Sequence, residues 1–462
     1  MNFFVPSSSP TRGAAVPVLI RWTIVVCCAL SAYMILPGAA AAASSWSTNV
    51  TRLENDGKIT PELADSARKA YLDARGVRRR TSGARRTALS YTIRTAESIA
   101  KSRRLTPDRV RPLWATLRRN ADWFKNNGPA AAGTDRRFGD SRIIFQYFAG
   151  LGWQIHPLSN FAKLNAVWTD KSKPARRALG EFAHELMSYG VNRGGFLTWE
   201  YYFNFGGGSP PWTSGISQGT AIQALARSGN ALNDNAILAA ARQGVGAYET
   251  AAPLGIKVPR DDGNHYLIYS FNKRLLVLNG FLQSLNGLRD YSLITDDKPA
   301  YDLYLKGLTA ARKETRESDT GAWSLYSVGG RESTMHYHLL LRDFLGNLCD
   351  NNREEVFCGT RDRFTAYTKE DPKISAIKTR VKKGRIYVYF RLSKMSRVTV
   401  SSQRAGKTSA TASSVVSYGN RRFSLKAPKR AGKYTIRISA SDLAGNRGGE
   451  TTTVKVPRKR SK

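Results

Sequence analysis

The 462-residue chain carries 72 Lys+Arg against 35 Asp+Glu, a formal net charge of +37. At 41% hydrophobic and 10% aromatic it can bury a core, which excludes a disordered basic tail, and its length allows about two to four domains. Four cysteines exclude a disulfide-stapled scaffold and a Cys-rich zinc protein, and the positive excess points to an acidic partner: nucleic acid, an anionic membrane or wall polymer, or an acidic polysaccharide.

Arg12 and Arg21 precede the apolar run TIVVCCALSAYMIL, which is followed by Pro37, Gly38 and alanines ending at Ala43. This is the layout of a signal peptide over residues 1–43, cleaved near Ala43. The run is shorter than the roughly 20 apolar residues of a membrane-spanning helix. A retained anchor is therefore the weaker alternative, and no stable membrane span is expected after cleavage. Secretion, or association with the cell wall, argues against nucleic acid as the partner. It also leaves Cys349 and Cys358 in an oxidising compartment, where one short bridge is expected and two free thiols are the alternative.

The next segment, residues 44–135, reads as helical. Thr60 is an N-cap with Pro61 at the first helical position, and Leu63, Ala67, Ala70, Tyr71 and Ala74 recur at helical spacing. Further helical patterns cover 82–102 and 107–124, ended by Asn126-Asn127-Gly128-Pro129.

Residues 136–365 open with two mixed runs, SRIIFQYFAGLGWQIH and GGFLTWEYYFNF. Helical patterns then follow at 217–228, 234–251, 275–288, 298–317 and 333–349. Helices of this length joined by aromatic-bearing Gly/Pro loops predict a partial α/α toroid whose loops at one end form a cleft. No strict repeat accompanies it.

Residues 371–456 change character. RIYVYFRL, RVTVSS, FSLKA, KYTIRISASD and TTTVKV alternate at period 2 and are separated by turns, which predicts a β-sandwich. SASDLAGNRG resembles the final hairpin of bacterial immunoglobulin-like modules. From Lys369 to Lys462 there are 25 Lys/Arg against 4 Asp/Glu, a net +21 that includes the basic tail 457–462. The fold class expected is thus mixed multidomain, mainly α with a C-terminal β-sandwich. The sandwich is expected to hold an anionic wall polymer or polysaccharide, or to serve as a solubilising charged surface.

Three stretches carry the chemistry: PPWTSGISQGTAIQALAR (210–227), HYLIYSFNKRLLVLNGFLQSLNGLRD (265–290) and TGAWSLYSVGGRESTMHYHLLLRDFLGNL (320–348). Together, over roughly 209–348, they resemble the C-terminal catalytic domain of the D-glucuronyl C5-epimerase family, which inverts C5 of glucuronate units in heparosan-type polymers. Pro211, Trp212, Ser214, Gln218 and Gly219 match its first block. Val277–Phe281, Ser284, Leu285, Gly287 and Leu288 match its second. Tyr269, Tyr326 and the pair Tyr337-His338 fall where the family has its tyrosines and its final Tyr-His. The polar frame departs: Ile268, Ser327, Gly329, Gly330, His336 and Leu341 stand where the family has acidic, Arg or His residues.

Removing the C5 proton of a uronate creates a carbanion beside a carboxylate, so the resemblance implies a cation or strong donor, a base on one face and an acid on the other. Tyr269, Tyr326 and Tyr337 are the candidate acid and base, with phenol pKa values expected to be lowered by nearby cations. His338, and less directly His336 or His265, are candidates to tune or orient them. Trp212, Gln218 and Asn279 are candidate sugar contacts or packing residues. Arg274, Arg331 and Arg342 are candidates for the missing arginine. The same proton abstraction serves polysaccharide lyases. A hydrolase using Glu200 and Asp319, and a non-catalytic glycan-binding protein, are further alternatives. No HExxH-type ligand spacing and no glycine-rich nucleotide loop is visible in the sequence, so neither metal nor cofactor is expected.

Overall fold

The structure is a computed structural model that describes residues 44–458. The signal-peptide reading of residues 1–43 lies outside the described residues, as does the end of the basic tail. Among the described residues no helix is long and apolar enough to cross a membrane. The chain forms two compact units.

The first unit comprises residues 44–138, 145–155 and 202–210. It holds helices α1 (Ser45–Asn55), α2 (Pro61–Arg79), α3 (Gly83–Lys101) and α4 (Pro107–Asn126). A three-stranded antiparallel sheet accompanies them, formed by β1 (Asp135–Arg136), β2 (Phe145–Phe148) and β3 (Gly152–Ile155). The Thr60 side chain accepts from Leu63 N and Pro61 occupies the first turn, so α2 starts where its capping residues dictate. Asn120 on α4 clamps the sheet: its Nδ2 donates to the Trp153 carbonyl at 2.7 Å and its Oδ1 accepts from Trp153 N at 2.9 Å. A Cβ at Gly152 would lie 2.2 Å from that Oδ1, and its φ is +79°, so glycine is required there.

The second unit takes in the rest. Its helices are α5 (Pro157–Thr169), α6 (Lys173–Met187), α7 (Gly215–Leu232), α8 (Asn235–Glu249), α9 (Leu278–Thr295), α10 (Lys298–Glu317), α11 (Met335–Asn352) and α12 (Glu355–Tyr367). Two short hairpins lie between them, β4 (Val191–Asn192) with β5 (Leu197–Thr198) and β6 (Lys257–Arg260) with β7 (Gly263–Tyr266). The helices form two rows. In one, α5 packs on α7, α7 on α9 and α9 on α11; in the other, α6 packs on α8, α8 on α10 and α10 on α12. Each member of the first row also packs on the helix that follows it. α7 and α9 are buried over most of their length, which is why SQGTAIQALA and LNGFLQSLNGL carry few charges. They cross at glycine: a Cβ on Gly287 would lie 2.2 Å from the Gly219 carbonyl oxygen, and one on Gly219 would lie 2.8 Å from Ser284 Cα.

Seven strands complete this unit: β8 (Ile374–Lys382), β9 (Arg385–Leu392), β10 (Ser396–Arg404), β11 (Lys407–Val416), β12 (Gly419–Lys426), β13 (Gly432–Asp442) and β14 (Arg447–Val456). They form an antiparallel four-stranded sheet, β11-β10-β13-β14, and a three-stranded one, β12-β9-β8. Alternate residues of both sheets, among them Ile386, Val388, Phe390, Val400, Leu425, Ile436 and Ile438, share one core, so this is a β-sandwich.

The sandwich grips the helices. Lys394, in the β9–β10 turn, is buried with its Nζ 2.8 Å from Asp442 Oδ2. The same ammonium donates to the carbonyls of Tyr367, at 2.7 Å, and Glu370, at the end of α12. Those carbonyls are left without helical partners, and the helix dipole favours a cation beside them. Asn446 Nδ2 donates to the Thr368 carbonyl at 2.9 Å.

Candidate active site

The three tyrosines matched in the sequence come from three segments and meet. Tyr269 sits in the connection between β7 and α9, held by Ser270 N donating to the Thr213 carbonyl (3.1 Å) and Thr213 N donating to Ser270 Oγ (3.2 Å). Tyr326 sits in the hairpin-like connection between α10 and α11. Its N–H donates to the Arg331 carbonyl at 2.8 Å, and its carbonyl accepts from Leu278 N, the first residue of α9. Tyr337 lies in the first turn of α11, where Thr334 Oγ1 accepts its N–H.

The phenols of Tyr269 and Tyr326 are hydrogen-bonded to each other, a contact that lowers the pKa of Tyr326 and raises that of Tyr269. The rings of Tyr326 and Tyr337 are 5.0 Å apart. Tyr269 is 6% exposed, whereas Tyr326 and Tyr337 are half-buried, so a ligand reaches the latter two first. Burial raises all three phenols: Tyr337 is pushed up to about 12, Tyr326 is raised, and Tyr269, which also faces Tyr326, Tyr337 and Tyr201, is raised furthest. No cation among the described residues offsets this burial at any of the three; desolvation dominates.

An aromatic wall backs Tyr269. Trp212 meets it edge-on at 5.8 Å and stacks on Tyr201 at 4.2 Å, while Phe271 stacks on Tyr269 at 5.7 Å. Tyr201, whose hydroxyl lies 2.6 Å from Ser217 Oγ, was not singled out from the sequence. Its signal was its place in the aromatic run TWEYYFNF.

The other candidates are placed elsewhere. His338 is fully buried, its Nδ1 accepting from Ser324 N at 3.3 Å and lying 2.8 Å from Ser324 Oγ. Its Nε2 lies 2.8 Å from the Phe364 carbonyl, which requires the neutral Nε2–H form. Burial pushes it down to about 4, and Trp323 stacks on it at 3.8 Å. Both nitrogens are engaged, so His338 fastens the Tyr326 connection to α12 rather than facing the phenols. His265 is likewise buried, 2.7 Å from Glu314 Oε2. His336 is exposed, its ring 5.6 Å from that of Tyr337.

Gln218 was a candidate sugar contact, but its amide is consumed internally. Nε2 donates to the carbonyls of Leu197 and Gly244, both at 2.8 Å, and Oε1 accepts from Thr198 Oγ1 at 2.9 Å. Asn279 is buried at 3% exposure in the first turn of α9. Arg274 and Arg331 are exposed, and Arg342 is ion-paired to Asp343 at 2.7 Å. The two carboxylates of the hydrolase reading are held by other partners. Glu200 pairs with Arg193 at 2.6 Å, and Asp319 takes Arg363 at 2.8 Å and Tyr367 at 3.0 Å. Cys349 on α11 and Cys358 on α12 form a disulfide.

Sequence reasoning missed the brace of the Tyr326 connection. Glu332, bridged to Leu325, takes its hydrogen bonds from the sandwich: Met395 N donates to Oε1 at 2.6 Å and Tyr418 N to Oε2 at 2.8 Å. The Lys394 ammonium lies 5.6 Å from the Trp323 ring centroid. The period-2 pattern revealed the strands but not which loop they support.

Residues 193–366 match the D-glucuronyl C5-epimerase C-terminus family. The match begins before the stretch first recognised, 209–348, and runs on through α12. Within it, Ile268, Ser327, Gly329 and Gly330 are held by local packing. Ile268 packs on Gly280, where an added Cβ would lie 2.8 Å from its side chain. Ser327 and Gly330 close a tight turn, Gly330 N donating to the Ser327 carbonyl at 2.9 Å, with Gly329 at φ +65°. A Cβ on Gly330 would lie 2.2 Å from Ser327 Oγ, so a larger residue there would require that hydroxyl to rotate away.

No curated protein matches the chain. Two solved structures are loosely similar. One is a GH76 alpha-mannanase of Bacteroides thetaiotaomicron, at 12% identity and TM-score 0.34, covering 46% of this chain and 59% of that one. The other is cellobiose 2-epimerase from Bacillus thermoamylovorans B4167, at 10% identity and TM-score 0.38, covering 62% and 75%.

Proposed function

We propose that this protein is a secreted, C5-epimerase-like enzyme that removes and returns the C5 proton of uronate units in an acidic polysaccharide, with Tyr326 and Tyr337 as its acid/base pair. The observation that carries this reading is the convergence of Tyr269, Tyr326 and Tyr337 within the family-matched segment.

Tyr326, the more accessible of the hydrogen-bonded pair and the one whose pKa that bond lowers, is the base, and the buried Tyr269 is its positioning partner. The phenolate takes the C5 proton, and the C–H electron pair moves into the adjoining carboxyl group. The cluster lies at the N-terminal ends of α9 and α11, whose dipoles favour the charge that accumulates there. Tyr337 then returns a proton to C5 from the other face, and the electron pair reforms the C–H bond. The two helix rows are read as an arc of an α/α toroid with the site at one end. The sandwich is read as an immunoglobulin-like module that keeps the enzyme on anionic polymer.

A second reading, elimination, draws on the ring contact between Tyr326 and Tyr337. In it the Tyr326 phenolate removes the C5 proton and Tyr337 protonates the 4-linked oxygen as it is expelled. The test is incubation with uronate polysaccharides in deuterated water, following C5 deuterium by NMR and unsaturated ends by absorbance. Deuterium with mixed C5 configuration supports the epimerase, and new unsaturated ends support the lyase. Neither signal, together with salt-sensitive polymer binding, supports a binding protein.

A further inference from the structure

The two outer faces of the sandwich differ in kind. On the three-stranded sheet the outward residues line up across the strands. Lys378, Tyr389 and Arg422 make one row, and Arg380, Tyr387 and Ser424 the next. Lys382, Arg385 and Lys426 make a third, and Arg391 stands beside Asn420 in a fourth. All the Lys and Arg in these rows are exposed, and none of the three strands contains an acid. Tyr389 is 37% exposed, and the Arg422 guanidinium lies 5.9 Å from the Tyr387 ring centroid. The outer face of the four-stranded sheet is instead built on Thr399, Ser401, Thr435, Ser439 and Thr453, with fewer cations between them.

We infer that the β12-β9-β8 face binds a linear uronate polysaccharide, its carboxylates on the flanking cations and its sugar rings across Tyr387 and Tyr389. Strands set about 4.8 Å apart, with outward residues repeating about every 6.7 Å, give a flat grid of charge rather than a pocket. Such a grid suits a repeating polyanion. A cationic field without acids raises the local concentration of a polyanion and loses its hold as salt is added. The two tyrosines offer flat apolar rings with polar tips, and no Leu, Ile, Val or Met of the three strands is exposed to enter a lipid bilayer. The inference rests on the acidic-polysaccharide reading of the substrate, yet it concerns a surface separate from the tyrosine cluster.

The full chain is titrated onto immobilised heparosan at rising salt, with uncharged dextran and single-stranded DNA as comparison surfaces. The triple variant Arg385→Glu/Arg391→Glu/Arg422→Glu is expected to bind heparosan at least tenfold more weakly. Its milder form Arg385→Gln/Arg391→Gln/Arg422→Gln should be intermediate. Arg397→Glu/Lys433→Glu/Arg437→Glu, an equal change of charge on the other sheet, should shift binding less than threefold. Equal losses from both charge-reversal variants, no loss from either, or tighter wild-type binding to DNA than to heparosan at the same salt would each overturn the inference. C5 exchange on short oligosaccharides is measured in parallel. Face-dependent binding without exchange supports the face and removes the enzyme reading; exchange with face-independent binding does the reverse.

Discussion

The Tyr326 and Tyr337 rings lie 5.0 Å apart although one is held by an extended connection and the other by the first turn of α11. Their meeting depends on how α9, α11 and the sandwich fix the intervening residues. Replacing either by Phe keeps the ring packing and removes only the hydroxyl. Tyr326→Phe and Tyr337→Phe should each lower the rate of C5 exchange by about 10²-fold or more, Tyr337→Phe with little change in thermal stability and Tyr326→Phe with a loss of about 1 kcal/mol from the buried Tyr269 hydroxyl. Tyr269→Phe should cost less and move the pH profile toward higher pH, because the hydrogen bond that lowers the Tyr326 pKa is gone.

The pH dependence follows from the direction of the shifts. Burial holds Tyr326 above the ordinary phenol value, so the phenolate is a small fraction at neutral pH. Exchange should therefore rise about tenfold per pH unit from pH 7 toward 9. A rate that is flat over this range would assign the base to another group.

His338 sets an acid limit on stability. Its folded pKa is about 4, below the unfolded value near 6.5. Between these values the unfolded chain binds the extra proton, so stability is intact above about pH 6.5 and is lost as pH falls toward 4, by roughly 3 kcal/mol. Melting temperatures taken from pH 7 to 4 should fall, and His338→Gln should flatten that slope while lowering stability at pH 7.

Lys394 and Asp442 are a buried pair at 2.8 Å. Lys394→Met leaves a buried carboxylate without its cation and should destabilise the protein by about 3–5 kcal/mol, with Lys394→Met/Asp442→Asn recovering part of the loss. Glu332→Gln is the gentler probe: it weakens the brace on the Tyr326 connection and should lower kcat for exchange while leaving KM nearly unchanged. Equal effects on kcat and KM would mean that the brace does not act through Tyr326.

The α7–α9 crossing makes a further prediction. Gly287→Ala forces a methyl to within 2.2 Å of backbone, with no side chain able to yield. Overpacking of this kind costs about 1–3 kcal/mol or more, so denaturant melts should show a clear loss.

Much of this was legible in the sequence, and for stated reasons. α2, α8, α10 and α11 carry side-chain caps and helical periodicity, α7 carries the periodicity alone, and the sandwich strands carry period 2. α1, α5, α6 and α12 were missed: α5 has weak periodicity and α12 has no side-chain cap, whereas α6 carries the Ser172 cap and buries Leu179, Phe182 and Leu186 at helical spacing, a signal that went unread. The pattern read as one helix from Leu275 begins only at Leu278, because Leu276 accepts from Val328 and Val277 bridges Ser327 beside Tyr326. Motif order brought out the tyrosines. The engagement of Gln218 and His338 with internal partners depends on carbonyls distant in sequence, and no spacing reveals it.

The most direct test of the central claim is C5 exchange itself. The protein, incubated with heparosan in deuterated water and followed by NMR, should place deuterium at C5 with mixed configuration and without unsaturated ends, and Tyr326→Phe should not. Retention of the C5 proton across a panel of uronate polysaccharides, or equal exchange by Tyr326→Phe, would contradict the account.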